Sequence, residues 1–239
     1  MSGLRVVRWG TERLRVGPWR GDARLAYLAP VAETPPATAG LVRYCCGVLA
    51  GQGYVEVVTG ALGQSEQRGF LEAGFAVREE LHLLSRPLAD LPPVPAAPLR
   101  RGQRRDRSDA LDIDALAFPP FWRLDDAGFS EALAATRSAR FRVAAKDRVL
   151  GYAISGRSGS RGYLQRLAVD PTVEGRGLGR ALVVDGLRWM RRRGASQVVV
   201  NTQVGNERAL RLYQHLGFRL ELTGLAVLTR RLEDRELTS

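Results

Sequence analysis

Apolar and polar positions alternate over short stretches early in the chain and settle into longer periods further on. Arg5 to Val16 carries the two-residue period of one or two strands, and Leu25 to Val31 predicts another. Thr34-Pro35-Pro36-Ala37-Thr38 reads as a loop. Gly40 to Ala50 is apolar enough for a buried helix, ended by Gly51 or Gly53. Tyr54 to Thr59 is β-rich. Ser65 to Ala73 predicts a short helix with Ser65 as N-cap and Gly74 closing it, and Ala76 to Ser85 predicts a long strand.

Leu91-Pro92-Pro93-Val94-Pro95-Ala96-Ala97-Pro98 has the composition of a linker, so the expected domains are 1–90 and 99–239, joined by 91–98. Beyond it, an arginine-rich strand or arm (Leu99 to Asp106) leads to helices at Asp109 to Leu116 and Asp126 to Thr136. These flank the break Phe118-Pro119-Pro120-Phe121-Trp122. A hairpin follows (Arg140 to Ala145, Val149 to Ser155), then a strand from Gly162 to Val169 and a helix to Arg193. Last come a strand from Gln197 to Thr202, a helix from Asn206 to Leu216, and strands Phe218 to Thr223 and Leu225 to Arg231. The two parts align when Gly74-Phe75 is laid on Gly217-Phe218; Phe70 then falls on Tyr213 and Gly63 on Asn206.

Composition narrows the class. With 239 residues, 45% hydrophobic and 26% charged, the chain fits a soluble globular protein. No apolar run reaches the roughly 18 residues of a membrane span, and Met1 to Gly10 has no signal-peptide core, so the expected compartment is the cytoplasm. Cys45 and Cys46 are adjacent and read as apolar helix residues. His82 and His215 are far apart, so no metal site is expected. The net charge is +11, and residues 91–239 hold 26 of the 36 basic but 16 of the 25 acidic side chains. That imbalance points to an anionic ligand for the second part.

Chemistry concentrates at Tyr163 to Gly179. A strand stops at Asp170-Pro171, and a loop with Gly175, Gly177 and Gly179 runs into a helix from about Leu178. Glycines let the backbone approach an anion, helix-start N–H groups point at it, and Arg176 and Arg180 add positive charge. No Gly-Lys-Ser/Thr follows, and the alternating glycines do not fit Gly-x-Gly-x-x-Gly.

Glu174-Gly175-Arg176-Gly177-Leu178-Gly179 resembles the acetyl-CoA loop of the GNAT acetyltransferase superfamily, Gln/Arg-x-x-Gly-x-Gly/Ala, with Glu174 at the first position. The string from Asn206 to Phe218 resembles that superfamily's Asn-x-x-Ala-x-x-x-Tyr-x-x-x-Gly-Phe. The resemblance, carried by 99–239, implies an α/β (α+β mixed) GNAT fold: a central mixed, mostly antiparallel sheet flanked by helices. A smaller, degenerate GNAT-like half would precede it, its loop replaced by Glu33 to Gly40, whose prolines cannot donate to phosphate. The implied cosubstrate is acetyl-CoA. The backbones of Leu167, Ala168 and Val169 would hold its pantetheine arm, and Gly175, Arg176, Gly177, Leu178, Gly179 and Arg180 its pyrophosphate. Asn206, two turns before Tyr213 on one helix face, would also contact it, and Tyr213 would protonate the leaving thiolate. Glu174 is expected to face solvent, with Arg176 or Arg180 compensating.

The implied reaction is acetyl transfer to a primary amine on a protein N-terminus, a lysine or a small molecule. Where related enzymes carry a carboxylate base, this chain has Asn201, Tyr163 and Gln165, which leaves a water chain, Asp125, Glu131 or no base. Three other readings stay open. One is a non-catalytic acyl-CoA-binding regulatory module. Another is a small-molecule acetyltransferase resembling the tandem mycothiol synthases. The last is a nucleic-acid-binding module, suggested by Arg100 to Arg107 and Arg188 to Arg193 and disfavoured because such charge runs are usually solvated faces and there is no aromatic interleaving of the stacking kind.

Overall fold

The computed structural model describes residues 4–31 and 33–232. The first elements are β1 (Arg5–Trp9), β2 (Glu12–Pro18), β3 (Leu25–Pro30), α1 (Ala39–Ala50), β4 (Glu56–Leu62), α2 (Gln64–Glu72) and β5 (Ala76–Pro87). They continue with β6 (Leu99–Arg101), α3 (Arg107–Ala117), α4 (Asp126–Ala134), β7 (Ser138–Ala145), β8 (Val149–Ser158) and β9 (Arg161–Val169). The last are α5 (Leu178–Arg192), β10 (Gln197–Gln203), α6 (Glu207–His215), β11 (Arg219–Leu220) and β12 (Leu225–Arg231). This is the mixed, mostly antiparallel sheet flanked by helices that the sequence predicts. Its parallel ladders include β3 with β4 and β9 with β10.

Among the described residues, one compact unit holds 4–83, 201–206 and 221–232; the other holds 84–200 and 207–220. The division therefore does not fall at 91–98. That proline-rich stretch lies in the second unit, where the Arg188 guanidinium donates to the Pro92 carbonyl at 2.9 Å and the Arg191 guanidinium to the Ala89 carbonyl at 2.9 Å. Leu91 and Ala97 pack on that unit's core.

The first unit orders its strands β1-β2-β3-β4-β12-β5. The late strand β12 is antiparallel to both β4 and β5, with Ala226 opposite Leu62 and Leu225 opposite Leu81. Its core gathers Leu28, Leu41, Leu49 and Phe70, all at most 1% exposed. Cys45 and Cys46 are buried free thiols on α1, and burial pushes Cys46 up to about 11. Gly63 is the N-cap of α2, and the Glu66 carboxylate accepts from the Gly63 N–H at 2.8 Å, so the expected Ser65 cap is not the one formed.

The second unit orders its strands β10-β9-β8-β7-β6. Its central helix is α5. Ten of its fifteen residues are buried, and Arg191 and Arg192 in the last turn suit the negative end of the helix dipole. Leu182, Leu187 and Met190 are fully buried.

The aligned segments form the same turn in each unit. The Phe75 N–H donates to the Phe70 carbonyl at 3.1 Å, and the Phe218 N–H to the Tyr213 carbonyl at 3.0 Å. Ring centroids lie 5.3 Å apart for Phe70–Phe75 and 5.6 Å apart for Tyr213–Phe218. Gly74 and Gly217 both take positive φ, +86° and +79°.

Helix α2 packs so closely that a Cβ on Gly69 would lie 1.9 Å from the Ala37 carbonyl oxygen. Gly69→Ala is expected to lower stability by about 1–3 kcal/mol, read as a fall in melting temperature. An unchanged melt would show that the loop at Ala37 yields.

Candidate active site

Strand β9 is built to stay half paired. On one side its ladder with β8 runs along its length, ending at Ala153↔Leu167, Tyr152↔Ala168 and Gly151↔Val169. On the other, among the described residues, the parallel ladder with β10 joins only Gln197↔Arg161, Val198↔Gly162 and Val199↔Tyr163. Leu164 to Val169 therefore present backbone donors and acceptors on that side without a ladder partner. Leu167, Ala168 and Val169 lie in this stretch.

The strand ends at Asp170, whose buried carboxylate caps the next turn. Its Oδ1 accepts from the Thr172 N–H at 2.8 Å and the Thr172 hydroxyl at 2.7 Å, and its Oδ2 accepts from Arg148 at 2.6 Å. The Thr172 donors and the Arg148 guanidinium hold this carboxyl below the usual carboxylate range.

The loop then delivers the N-terminus of α5. Gly177 sits at its N-cap with φ +78°, a conformation costly for any residue with a Cβ, and contributes no side-chain cap. The helix ladder starts with the Ala181 N–H donating to the Gly177 carbonyl at 2.9 Å. The N–H groups of Leu178, Gly179 and Arg180 precede that ladder and so lack the acceptors of the helix interior. No heavy atom lies within 4 Å of a Cβ built on Gly175 or Gly177, so the space over the loop is open. A Cβ on Gly179 would lie 3.6 Å from Leu212 and 3.7 Å from Val169, which brings the strand end, the helix start and α6 together.

Glu174 does not face solvent alone. Its carboxylate pairs with Arg208 on α6, so the compensating cation is neither Arg176 nor Arg180, both of which are exposed. Asn206 immediately precedes α6 instead of lying within it, and its N–H donates to the Gln203 carbonyl at 3.0 Å. Tyr213 lies in α6 and is 5% exposed. Burial pushes its hydroxyl far above the ordinary phenol range, and the Arg166 guanidinium pulls it partly back. The phenol is therefore neutral near pH 7.

Of the candidate bases, Asp125 is committed to capping α4, accepting from the Gly128 N–H at 2.7 Å. Glu131 is exposed on α4. The Gln165 Oε1 is buried without a hydrogen-bond partner.

The sequence reading missed a buried charged group beneath β9. Asp114 of α3 is 0% exposed. It accepts two bonds from the Arg166 guanidinium at 2.6 and 2.7 Å, one from the Tyr152 hydroxyl at 2.5 Å and one from the Leu124 N–H at 2.7 Å. The Arg166 guanidinium also donates to the Trp122 carbonyl at 2.7 Å and lies 3.4 Å over the Phe118 ring. Simple strand parity hid the signal: a register shift between Leu164 and Arg166 leaves Leu164 on the α5 core and turns Arg166 with Ala168 toward the α3 core, where burial demands a counter-ion.

The Acetyltransferase (GNAT) family model matches residues 108–218. A mycothiol acetyltransferase of Mycobacterium sp. (strain MCS) is 31% identical over 223 residues, covering 80% of this chain and 74% of the relative. A mycothiol acetyltransferase of Thermobispora bispora is 33% identical over 170 residues, 62% of this chain and 57% of that relative. The chain belongs to the acetyltransferase (GNAT) family. It spans little more than half the length of the Thermobispora bispora and Rhodococcus jostii relatives. The solved structure of a tandem GNAT protein from the clavulanic acid biosynthesis pathway matches with a TM-score of 0.72 at 15% identity, over 97% of this chain and 84% of that one. That likeness is one of fold.

Asp114→Ala leaves the buried Arg166 without its partner and is expected to cost about 3–5 kcal/mol. Adding Arg166→Met should recover part of the loss in the same thermal melts. A single variant that melts like the wild type would show that the pair does not anchor β9.

Proposed function

We propose that the chain transfers an acetyl group from acetyl-CoA to a primary amine. The observation that carries this reading is the one-sided stretch Leu164 to Val169 running into an N-terminus of α5 that no side chain caps. The two features suit one elongated ligand: an amide-rich arm that adds to a strand edge, ending in phosphates that need helix-start N–H groups. Leu167, Ala168 and Val169 would bind the arm through their backbones. Gly175 to Arg180 would hold the phosphates, with Glu174 neutralised by Arg208. Asn206 completes the cofactor contacts. When bound, acetyl-CoA supplies an activated acetyl thioester.

Tyr213 is the catalytic residue. Its hydroxyl keeps its proton at neutral pH and gives it to the departing thiolate sulfur. The fold holds acceptor and thioester together, which supplies much of the barrier reduction. Similarity to proteins named mycothiol acetyltransferase supports a small-molecule amine over a protein amine as acceptor.

One observation favours a second reading, an acyl-CoA-binding regulatory module: Asp125 is occupied as a helix cap and Asn201 cannot titrate. A thiol-release assay over a panel of amines separates the two. Tight acetyl-CoA binding with no turnover on any amine supports the module.

Acetyl-CoA at millimolar concentration is expected to raise the melting temperature, and Gly177→Glu to abolish the rise. A wild-type protein that shows no shift removes the basis of the proposal. Tyr213→Phe is expected to lower kcat by about 10²- to 10⁴-fold while acetyl-CoA affinity stays within about twofold. Unchanged kcat would take Tyr213 out of the proton transfer.

A further inference from the structure

The arginine runs 100–107 and 188–193 contribute nothing to the reaction proposed above, yet the fold of the second unit brings Arg101, Arg104 and Arg107 of the first together with Arg193 of the second. A cleft of about 860 Å³ lies among β6, β7, α4 and the C-terminal end of α5. Its walls carry Arg101, Arg104, Arg107, Arg137, Arg140 and Arg193, and among the described residues no carboxylate lines it.

These side chains fall into two layers. Arg107 and Arg140 are half-buried and held by acids outside the lining: Arg107 by Asp126 at 2.6 Å, Arg140 by Asp185 at 3.0 Å. Arg101, Arg104, Arg137 and Arg193 are exposed, and among the described residues none of them has a carboxylate partner. Buried rings fix the layout. Arg107 lies over Phe129 at 5.0 Å, and Arg140 and Arg193 lie over Trp189 at 6.0 and 5.9 Å. Guanidinium groups seated this way are placed before any ligand arrives, unlike those on a solvated face.

We propose that this cleft is a binding site for a small anion bearing several phosphates, such as a nucleoside di- or triphosphate or an inorganic polyphosphate. The planar guanidinium fork matches phosphate oxygens bidentately. The volume lies within the roughly 300–1,000 Å³ of small-molecule sites. Four uncompensated arginines around one concavity call for charge packed into a few ångströms, as a polyphosphate has and an extended acidic peptide does not. A nucleic-acid duplex is convex and about 20 Å across, and it needs an open basic surface instead of a cleft. The site is separate from the phosphate-binding loop: Gly177 and Arg193 sit at opposite ends of α5, about 24 Å apart at 1.5 Å per residue.

The test titrates tripolyphosphate, by calorimetry at low salt, into full-length protein carrying Gly177→Glu, so that the glycine loop is blocked. Binding with one site per chain is expected to persist there. Adding Arg104→Ala and Arg137→Ala should weaken it at least tenfold without changing the melting temperature. Arg101→Ala, made separately, should weaken it in the same direction. In the otherwise wild-type chain the double arginine variant should keep its melting shift with acetyl-CoA. ATP should compete with tripolyphosphate if the natural ligand is a nucleotide, whereas failure of ATP alone restricts the site to unsubstituted polyphosphate. The proposal is overturned if Gly177→Glu alone removes binding, if the arginine variants bind as before, or if a 20-base-pair duplex or a poly-glutamate peptide binds more tightly than tripolyphosphate.

Discussion

A strand inside a sheet is costly to leave half paired, because its N–H and C=O groups form a row that another strand would complete. From Leu164 to Val169, β9 is in that state. Two things hold it there. The β8 ladder fixes its register to Gly151↔Val169, and the Arg166–Asp114 pair locks it from beneath to α3 and the turn at Trp122. The rest of the site depends on this restraint. If β9 could close on β10, the strand edge would be lost, and the position of Asp170, the glycine loop and the start of α5 would move with it. The same guanidinium also acts on Tyr213. A buried ion pair contributes little net stability, since desolvation offsets most of the Coulomb gain. Its value here is geometric: it gives a gapped strand one position.

The strand–helix–strand–helix unit is folded twice, once in each compact unit, and the helix starts show why chemistry is proposed for only one copy. Helix α1 is entered through Thr38, whose hydroxyl accepts from the Leu41 N–H at 3.5 Å. The Glu12 carboxylate then takes the Thr38 N–H at 2.7 Å and its hydroxyl at 3.1 Å. The first copy thus engages its helix-entry donors with its own side chains, and the prolines of the preceding loop remove further donors. The second copy has Gly177 at the same point, with nothing over it. The two copies keep the same turn at Phe70–Phe75 and Tyr213–Phe218 because that turn closes the helix and packs the core, whatever the loop does.

Periodicity and glycine placement made most elements legible, since β3, α1, β5, α3, α5 and β12 form where local pattern puts them. The glycine loop and Tyr213 were legible as motifs. Four features were not, for one reason: each depends on residues far apart in sequence. The unit division hangs on β12 pairing with β4, 164 residues from Ala226 back to Leu62, and no local signal marks such a ladder. The partner of Glu174 is Arg208, brought near by α6 and not by the loop itself. Asp114 and Arg166 lie 52 residues apart, and the register shift in β9 turns Arg166 to the α3 face that simple alternation from Leu164 would not assign it. A proline-rich stretch read as a linker because composition cannot tell a free segment from one strapped to α5 by Arg188.

Helix α5 has an anion site proposed at each end, and the two rest on different physics. At its N-terminus the peptide dipoles and the N–H groups of Leu178 to Arg180 favour an anion before any side chain is counted. At its C-terminus the same dipole is negative and opposes one, and Arg191, Arg192 and Arg193 must first offset it. Under the proposal, binding there comes from guanidinium groups, which accounts for the six arginines in the cleft and for the lack of acids in its walls among the described residues. The excess of positive charge in 91–239 is therefore not one property. Arg166, Arg148, Arg140 and Arg142 are spent on buried carboxylates that hold the sheet and its loop in place. Arg101, Arg104, Arg137 and Arg193, without such partners among the described residues, gather instead at the cleft by the C-terminal end of α5.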